Sequence, residues 1–198
     1  MNSADQAAAL PVDLAGMTVR PSTAGDVPAI AAIYAHHVVH GLASFEIVPP
    51  DATEIARRRD EALARGLPYF VGLLGGAVAG FAYAAPYRPR PAYASTLEDS
   101  VYVDPSAGRR GLGRALLDLL LATCAALGYR QMIAVIGDSG NAASIRLHEA
   151  CGFVRTGLLP SVGHKHGRWV DSVLMQRALG AGDSTAPSRG HEADRGVP

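Results

Sequence analysis

The 198-residue sequence has little cysteine, no long hydrophobic run and no excess of charge of either sign. Its two cysteines, Cys124 and Cys151, both lie within apolar helical patterns, which indicates reduced core thiols rather than a disulfide framework. No apolar run approaches the ~18 residues of a membrane span, and the N-terminus has no pattern of a signal peptide. With 18 basic and 18 acidic residues, no charge imbalance points to nucleic acid or to an anionic membrane. We therefore expect a cytoplasmic protein that binds neither.

Length and composition predict one folded domain between two unstructured segments. Residues 1–16 are rich in alanine and carry no periodic pattern, which predicts a flexible leader. Residues 17–178 contain all of the predicted helices and strands. In residues 179–198 the composition changes to glycine, serine, proline and charged side chains, which predicts a disordered tail.

The order of the predicted elements favours an α/β fold. Capping patterns at Thr23-x-x-Asp26 and Asp51-x-x-Glu54 each predict the start of a helix, and Gly75-Gly76 between two apolar runs predicts a hairpin. The full order is one strand, two helices, three strands, a helix, a strand, a helix and two strands. This alternation predicts a mixed, twisted sheet with helices on both faces.

The segment of residues 98–127 is a strand, a turn rich in glycine and arginine, and a leucine-rich helix. The first N–H groups of a helix have no internal partner, the helix dipole is positive there, and glycines let a ligand approach the backbone. Arg109, Arg110 and Arg114 add donors that suit phosphate. The turn therefore predicts an anion site, with an ordinary tight strand–helix turn as the alternative.

The spacing of the glycines excludes two common phosphate loops. No Gly-Lys-Ser/Thr completes a P-loop, and Leu116 stands where a dinucleotide fingerprint needs its third glycine. The turn instead resembles the Gln/Arg-x-x-Gly-x-Gly/Ala signature of the GNAT N-acetyltransferases, although Gly108 replaces the usual Gln or Arg. That resemblance implies a mostly antiparallel sheet and the co-substrate acetyl-CoA. It implies that the pyrophosphate is held by Arg109, Arg110, Gly111, Leu112, Gly113 and Arg114.

Two further elements resemble this family. In Asn141-x-x-Ser144-x-x-x-His148, the asparagine matches a residue near the pantetheine arm, and His148 occupies the position of a proton-donating tyrosine. Ser144 and His148 are four residues apart and share one helix face. The resemblance also implies that the backbone of Val101, Tyr102 and Val103 binds the thioester and the pantetheine arm. From the residues alone, a structural histidine is the more common interpretation of His148, and Val101–Val103 can be an ordinary strand.

Several local sequences resemble one subgroup, the phosphinothricin and methionine sulfoximine acetyltransferases. They are Ala82-Tyr83-Ala84, Glu98-x-Ser100-Val101-Tyr102-Val103, Arg146-Leu147-His148-Glu149 and Gly163-x-Lys165-x-Gly167-x-Trp169-x-Asp171. By this resemblance Glu98 and His148 are the catalytic pair. An amine attacks a thioester only in its neutral form, so a carboxylate that takes its proton suits the reaction, while His148 can act as a base or protonate the leaving thiolate. Without the resemblance, Glu98 reads as a solvated carboxylate at the end of a strand.

The substrate prediction depends on three residues. Arg88 and Arg90 lie in a proline-rich loop and can bind a carboxylate or a phosphinate, and Phe45 matches an aromatic residue of the subgroup's substrate pocket. A solvated basic loop is the alternative. We expect acetylation of the primary amine of a small amino-acid analogue, by direct transfer, in a homodimer. The alternatives are another amine, such as a polyamine, an antibiotic or a peptide N-terminus, or a non-catalytic acyl-CoA-binding module.

The histidines do not indicate a metal site. His164 and His166, together with the histidines at positions 36, 37 and 40, match no metal-ligand spacing. We therefore expect no metal.

Overall fold

The computed structural model describes residues 12–14 and 16–187. The strands are β1 (Val12–Leu14), β2 (Met17–Pro21), β3 (Tyr69–Leu74), β4 (Ala77–Pro86), β5 (Thr96–Val103), β6 (Gln131–Gly137), β7 (Val154–Lys165) and β8 (Arg168–Ala178). The helices are α1 (Val27–His40), α2 (Ala52–Ala64), α3 (Leu112–Ala126) and α4 (Ala142–Ala150). No helix in this part of the chain is long and apolar enough to cross a membrane.

The predicted capping residues start the helices of the first half. The Asp51 carboxylate accepts a hydrogen bond of 2.8 Å from the Glu54 N–H at the start of α2. Before α1, the Asp26 carboxylate accepts from the Thr23 N–H at 2.7 Å and forms an ion pair with Arg20. These bonds satisfy N–H groups that a helix start leaves without partners.

The strands form one sheet in the order β1-β2-β3-β4-β5-β6-β8-β7. All neighbouring strands are antiparallel except β5 and β6, which are parallel. That parallel ladder pairs only Thr96, Leu97 and Glu98 with Gln131, Met132 and Ile133. Beyond Glu98 the two strands diverge, and the sheet opens at its centre. The predicted mixed, mostly antiparallel sheet is confirmed.

Helices cover both faces of the sheet, as predicted. On one face, the buried leucines of α3 pack against β3–β6 in a core that includes Leu112, Leu116, Leu117, Leu120 and Leu121. On the other face, α1 and α2 pack through Ile30, Val38 and Ile55 against Val71 and Phe81. Each face of the sheet thus buries an apolar core.

Several boundaries differ from the prediction. The second-last strand is longer than the sequence pattern predicts. In the structure, β7 continues to Lys165 through two irregularities in its pairing with β8. Within the predicted leader, Val12–Leu14 forms β1, while residues 1–11 and 15 lie outside the described residues. Within the predicted tail, the backbone carbonyl of Gly182 accepts a hydrogen bond of 2.8 Å from Arg130, and residues 188–198 lie outside the described residues.

Candidate active site

The N-terminus of α3 and the free part of β5 border a cleft of about 720 Å³, here called the α3 cleft. Gly111 is the N-cap of α3 and has a φ of +84°, a conformation that a side chain disfavours. All of the cofactor-binding residues predicted from the sequence line this cleft except Arg110. The lining members are Val101, Tyr102, Val103, Arg109, Gly111, Leu112, Gly113, Arg114 and Asn141.

The α3 cleft has the electrostatic character of an anion site. Its described charged lining consists of Arg109, Arg114 and Arg146 against one acidic residue, Asp138, which is engaged by Arg168 at 3.0 Å. The helix dipole adds a positive potential where α3 begins. A polyanionic ligand such as a pyrophosphate therefore fits this cleft.

A second cavity of about 300 Å³, here called the sheet opening, lies where β5 and β6 diverge. Glu98 and His148 line it together, although they come from a strand and from a helix 50 positions later. The sheet opening and the α3 cleft share six lining residues, which are Ala43, Val101, Tyr102, Gly137, Asn141 and Ser144. A ligand in the cleft can thus extend into the opening.

His148 binds Asp99 rather than Glu98. Its Nε2 lies 3.0 Å from Asp99 Oδ2, and its Nδ1 lies 2.8 Å from the backbone oxygen of Ser144. Both side chains of the pair are nearly inaccessible, with exposures of 5% for His148 and 1% for Asp99. Glu98 is the adjacent residue of β5, so its side chain points to the opposite face of the sheet. The structure brings Glu98 and His148 to one cavity without a direct bond between them.

The environment changes the acidity of both groups. Burial raises the pKa of Glu98 to about 6, and the nearby charge of Asp99 adds to the shift. For His148, burial by itself lowers the pKa, but the hydrogen bond and the charge of Asp99 outweigh it and raise the pKa above its ordinary value. Near neutral pH the carboxylate of Glu98 is thus ionised and can take a proton, while the shift at His148 favours the imidazolium, which can give one.

Asp99 is the residue that the sequence reasoning missed. The sequence does contain a signal for a buried position at Asp99. Leu97 and Val101 lie two residues before and after Asp99, and all three share one face of β5. A carboxylate between two residues that pack in the core needs a partner. Its partner is 49 residues further along the chain, where only the fold can reveal it.

The three predicted substrate residues lie in different places. Phe45 lines the sheet opening. Arg88 lines a neighbouring cavity of about 410 Å³, the aromatic pocket, which shares Tyr34 and Tyr83 with the opening. Arg90 lines neither of these cavities, but lines a third one of about 290 Å³, which Arg88 also borders. The structure therefore brings Phe45 to the opening and Arg88 to the pocket next to it, and it brings Arg90 to neither.

The loop that carries Phe45 is fixed from several sides. The buried Lys165 Nζ donates a hydrogen bond of 2.7 Å to the backbone oxygen of Ser44. Tyr34 donates to Glu46 at 3.0 Å, and Arg58 forms an ion pair with the same carboxylate at 2.6 Å. Residues 41–48, here called the Phe45 loop, are thereby held against the end of the sheet opening.

The described residues contain no group of three or more His, Cys, Asp or Glu side chains that is arranged to hold a metal. Both cysteines are buried and free. Burial raises the pKa of the Cys124 thiol to about 12 and that of the Cys151 thiol to about 11. Neither thiol is a nucleophile at neutral pH.

Comparison with known proteins gives consistent relatives. A phosphinothricin N-acetyltransferase from Alcaligenes faecalis is 58% identical over 170 residues, which cover 86% of each chain. An L-methionine sulfoximine/L-methionine sulfone acetyltransferase from Salmonella typhimurium is 38% identical, over 82% of this chain and 95% of the relative. The crystal structure of a GNAT superfamily phosphinothricin acetyltransferase from Sinorhizobium meliloti, in complex with acetyl-CoA, superposes with a TM-score of 0.85 at 45% identity, covering 87% of this chain and 94% of that one.

The resemblance found in the glycine-rich turn thus extends over the whole domain. The family model for the acetyltransferase (GNAT) family matches residues 33–153, which include the Phe45 loop, β5, α3 and His148. The predicted family is confirmed: the chain belongs to the GNAT acetyltransferase family.

Proposed function

We propose that this protein transfers the acetyl group of acetyl-CoA to the primary amine of a small amino-acid analogue of the phosphinothricin or methionine sulfoximine type. The names of its relatives support this choice of substrate, and the acetyl-CoA bound in the Sinorhizobium meliloti structure supports the donor. The observation that carries the proposal is the continuity of the α3 cleft with the sheet opening at Val101, Tyr102, Asn141 and Ser144.

The residues of the α3 cleft fit acetyl-CoA, which supplies an activated acetyl thioester. The first N–H groups of α3, together with Arg109 and Arg114, would bind its pyrophosphate. Beyond Glu98, the edge of β5 that faces β6 has no ladder partner among the described strands, so backbone groups of Val101 and Tyr102 at this edge would bind the pantetheine arm and the thioester oxygen. The backbone oxygen of Val103 is already engaged, since it lies 2.9 Å from His37 Nε2.

The two titratable groups divide the proton transfers. Glu98, with a pKa of about 6, is ionised at neutral pH and takes a proton from the attacking amine, directly or through water. His148 gives a proton to the leaving thiolate. The amine attacks the thioester directly in a ternary complex, because the buried cysteine thiols offer no nucleophile for an acetyl-enzyme.

For the amino acid, Phe45 provides an apolar wall in the sheet opening, and Arg88 provides a cation at the neighbouring aromatic pocket. A guanidinium suits the carboxylate or phosphinate of such a substrate. Arg90 stays in the proposal only as a contributor to the local positive potential, since it lines neither cavity.

A thiol-release assay over a panel of amines tests the proposal. L-phosphinothricin, L-methionine sulfoximine and L-methionine sulfone should release CoA faster than spermidine, an aminoglycoside or a peptide N-terminus. A panel in which one of the other amines is fastest contradicts the substrate class. Tight acetyl-CoA binding by calorimetry without turnover of any amine would instead identify a binding module.

We also propose that the protein is a homodimer. The β7–β8 hairpin exposes several large apolar side chains to solvent, as is typical of a surface that binds a partner. They include Leu158, Leu159, Val162 and Trp169, and Trp169 is 65% exposed. Sedimentation equilibrium should give twice the chain mass, and Val162→Glu should weaken the association. A monomer at micromolar concentration contradicts this assignment.

A further inference from the structure

We propose that Asp99 is a positioning residue: its carboxylate holds His148 as the doubly protonated imidazolium, so that the ring delivers a proton to the leaving thiolate through the Ser144 hydroxyl. The inference rests on the proposed acetyl transfer for its chemical role. The geometry from which it starts stands independently of the substrate.

The hydrogen bonds of His148 fix the number of protons at the pair. Nδ1 faces a backbone carbonyl, which can only accept, so Nδ1 carries a proton. Nε2 faces a carboxylate oxygen of Asp99, so another proton must lie between these two atoms. The pair therefore exists either as imidazolium with carboxylate or as neutral imidazole with carboxylic acid.

The position of His148 favours the imidazolium. His148 lies in the last turn of α4, where the helix dipole stabilises a cation. Asp99 Oδ1 is buried and has no hydrogen-bond partner among the described residues. An ionised Asp99 therefore depends for its stabilisation on the charge of the ring, to which its other oxygen is bonded.

The surroundings add few competing charges. On β5 the nearest is Glu98, whose side chain points to the other face of the sheet. On α3 the group that interacts with Asp99 is the Cys124 thiol, and Phe153 presents its ring at 5.0 Å to His148. Arg146 and Glu149 of α4 are exposed to solvent. On β6 and β8, the residues that line the sheet opening carry no charge. They are Ala134, Val135, Ile136, Gly137 and Ser172.

The proton leaves from Nδ1 of the ring. Ser144 Oγ lies 3.4 Å from His148 Nδ1, and Ser144 lines both the sheet opening and the α3 cleft. Such contacts are often long in a free enzyme and shorten with substrate. As the amine nitrogen bonds to the acetyl carbon and the carbon–sulfur bond breaks, the Ser144 hydroxyl proton passes to sulfur and the Nδ1 proton passes to Ser144.

The cycle closes without a further reactant. After the transfer, His148 is neutral and keeps its Nε2 proton in the hydrogen bond to the Asp99 carboxylate. The proton that Glu98 removed from the amine returns to His148 through solvent. Starting from the neutral amine, one proton is thus taken from nitrogen and one is given to sulfur in each turnover; an amine that arrives as ammonium releases its additional proton to solvent.

Nitrogen-15 NMR of the full chain labelled at histidine tests the charge state directly. We expect both ring nitrogens of His148, identified by their loss in His148→Gln, to have the shifts of a protonated imidazolium at pH 7. In Asp99→Asn the second proton should be lost at lower pH, because the amide carries no charge. Glu98→Gln is the matched control, since it removes the adjacent carboxylate but should leave His148 charged.

Kinetics supply the second readout. Asp99→Asn should lower kcat by roughly 10²-fold, move the alkaline limb of the pH profile to lower pH and leave the KM for acetyl-CoA unchanged. Ser144→Ala should lower kcat without moving the His148 resonances. A wild-type His148 that is neutral at pH 7, or an alkaline limb unmoved in folded Asp99→Asn, overturns the inference. Because the NMR measurement needs no turnover, it separates this failure from failure of the proposed reaction.

Discussion

Gly163 of β7 lies directly against the ring of Phe45, so a single added methyl group should disturb the substrate side of the site. A Cβ at this position would lie 2.5, 2.7 and 2.9 Å from three carbons of the Phe45 ring. Carbon atoms normally approach to about 3.5–4.0 Å, so the ring must move by about 1 Å in Gly163→Ala. The backbone of Gly163 does not have a positive φ, so the methyl group adds crowding but no backbone strain.

The loop cannot simply retreat from the added methyl group. Lys165, two residues beyond Gly163, holds the backbone oxygen of Ser44 at 2.7 Å, next to Phe45. The ring therefore has to rotate or shift within the sheet opening. A displacement of about 1 Å at a substrate-positioning group can cost up to about 10²-fold in rate, and we expect kcat/KM for the amino acid to fall by ~10- to 100-fold.

Steady-state thiol release should be measured with the amino acid varied at saturating acetyl-CoA, and then with acetyl-CoA varied. Only the amino-acid constants should change, because Phe45 does not line the α3 cleft. Gly157→Ala in the same strand is the matched control, since its Cβ would meet Leu174 at an ordinary 3.7 Å. Thermal denaturation should first show that both variants are folded. Equal kinetic constants for the amino acid in the two variants would then refute the reasoning.

Three other variants address the remaining parts of the molecule. Gly111→Val should raise the KM for acetyl-CoA by roughly tenfold or more, since a β-branched residue resists a φ of +84° at the N-terminus of α3; an unchanged calorimetric affinity would contradict this. In the wild type, protonation of Glu98 should lower kcat/KM below a pH of about 6. Glu98→Gln should abolish this acidic limb of the pH-rate profile. Asp26→Asn should cost about 2 kcal/mol of unfolding free energy at pH 7, because Arg20 and Thr23 hold the pKa of Asp26 at about 2. That stability is present above pH ~4 and is lost as the pH falls towards 2, so the difference between the two proteins in urea melts should be largest at pH 7 and much smaller at pH 2.5.

Much of the fold was predictable because local signals agree with the tertiary structure. The caps at Thr23 and Asp51, the glycine-rich turn before α3 and the alternation in β5 each predict an element that the structure contains. The cofactor side of the candidate site was predictable for the same reason. It is built from one continuous stretch in which strand, turn and helix N-terminus follow each other.

The substrate side was less predictable, because it is assembled from distant segments. Spacing on α4 shows that Ser144 and His148 share a face, but it cannot show that this face meets Asp99. Likewise, two arginines in one proline-rich loop suggest a common target. In the structure Arg88 lines the aromatic pocket and Arg90 does not, although only Pro89 separates them.

The bond between Lys165 and Ser44 has a consequence for biosynthesis. These residues are 121 positions apart, and the lysine lies at the end of β7, which is synthesised after every other described strand except β8. Contacts of such long range form late, because a long loop must be closed before they are gained. A ribosome-bound chain that ends before β7 therefore already contains the whole glycine-rich turn and α3, yet its Phe45 loop lacks the hydrogen bond from Lys165. We expect such a nascent chain to acquire its affinity for the nucleotide part of acetyl-CoA before its selectivity among amines.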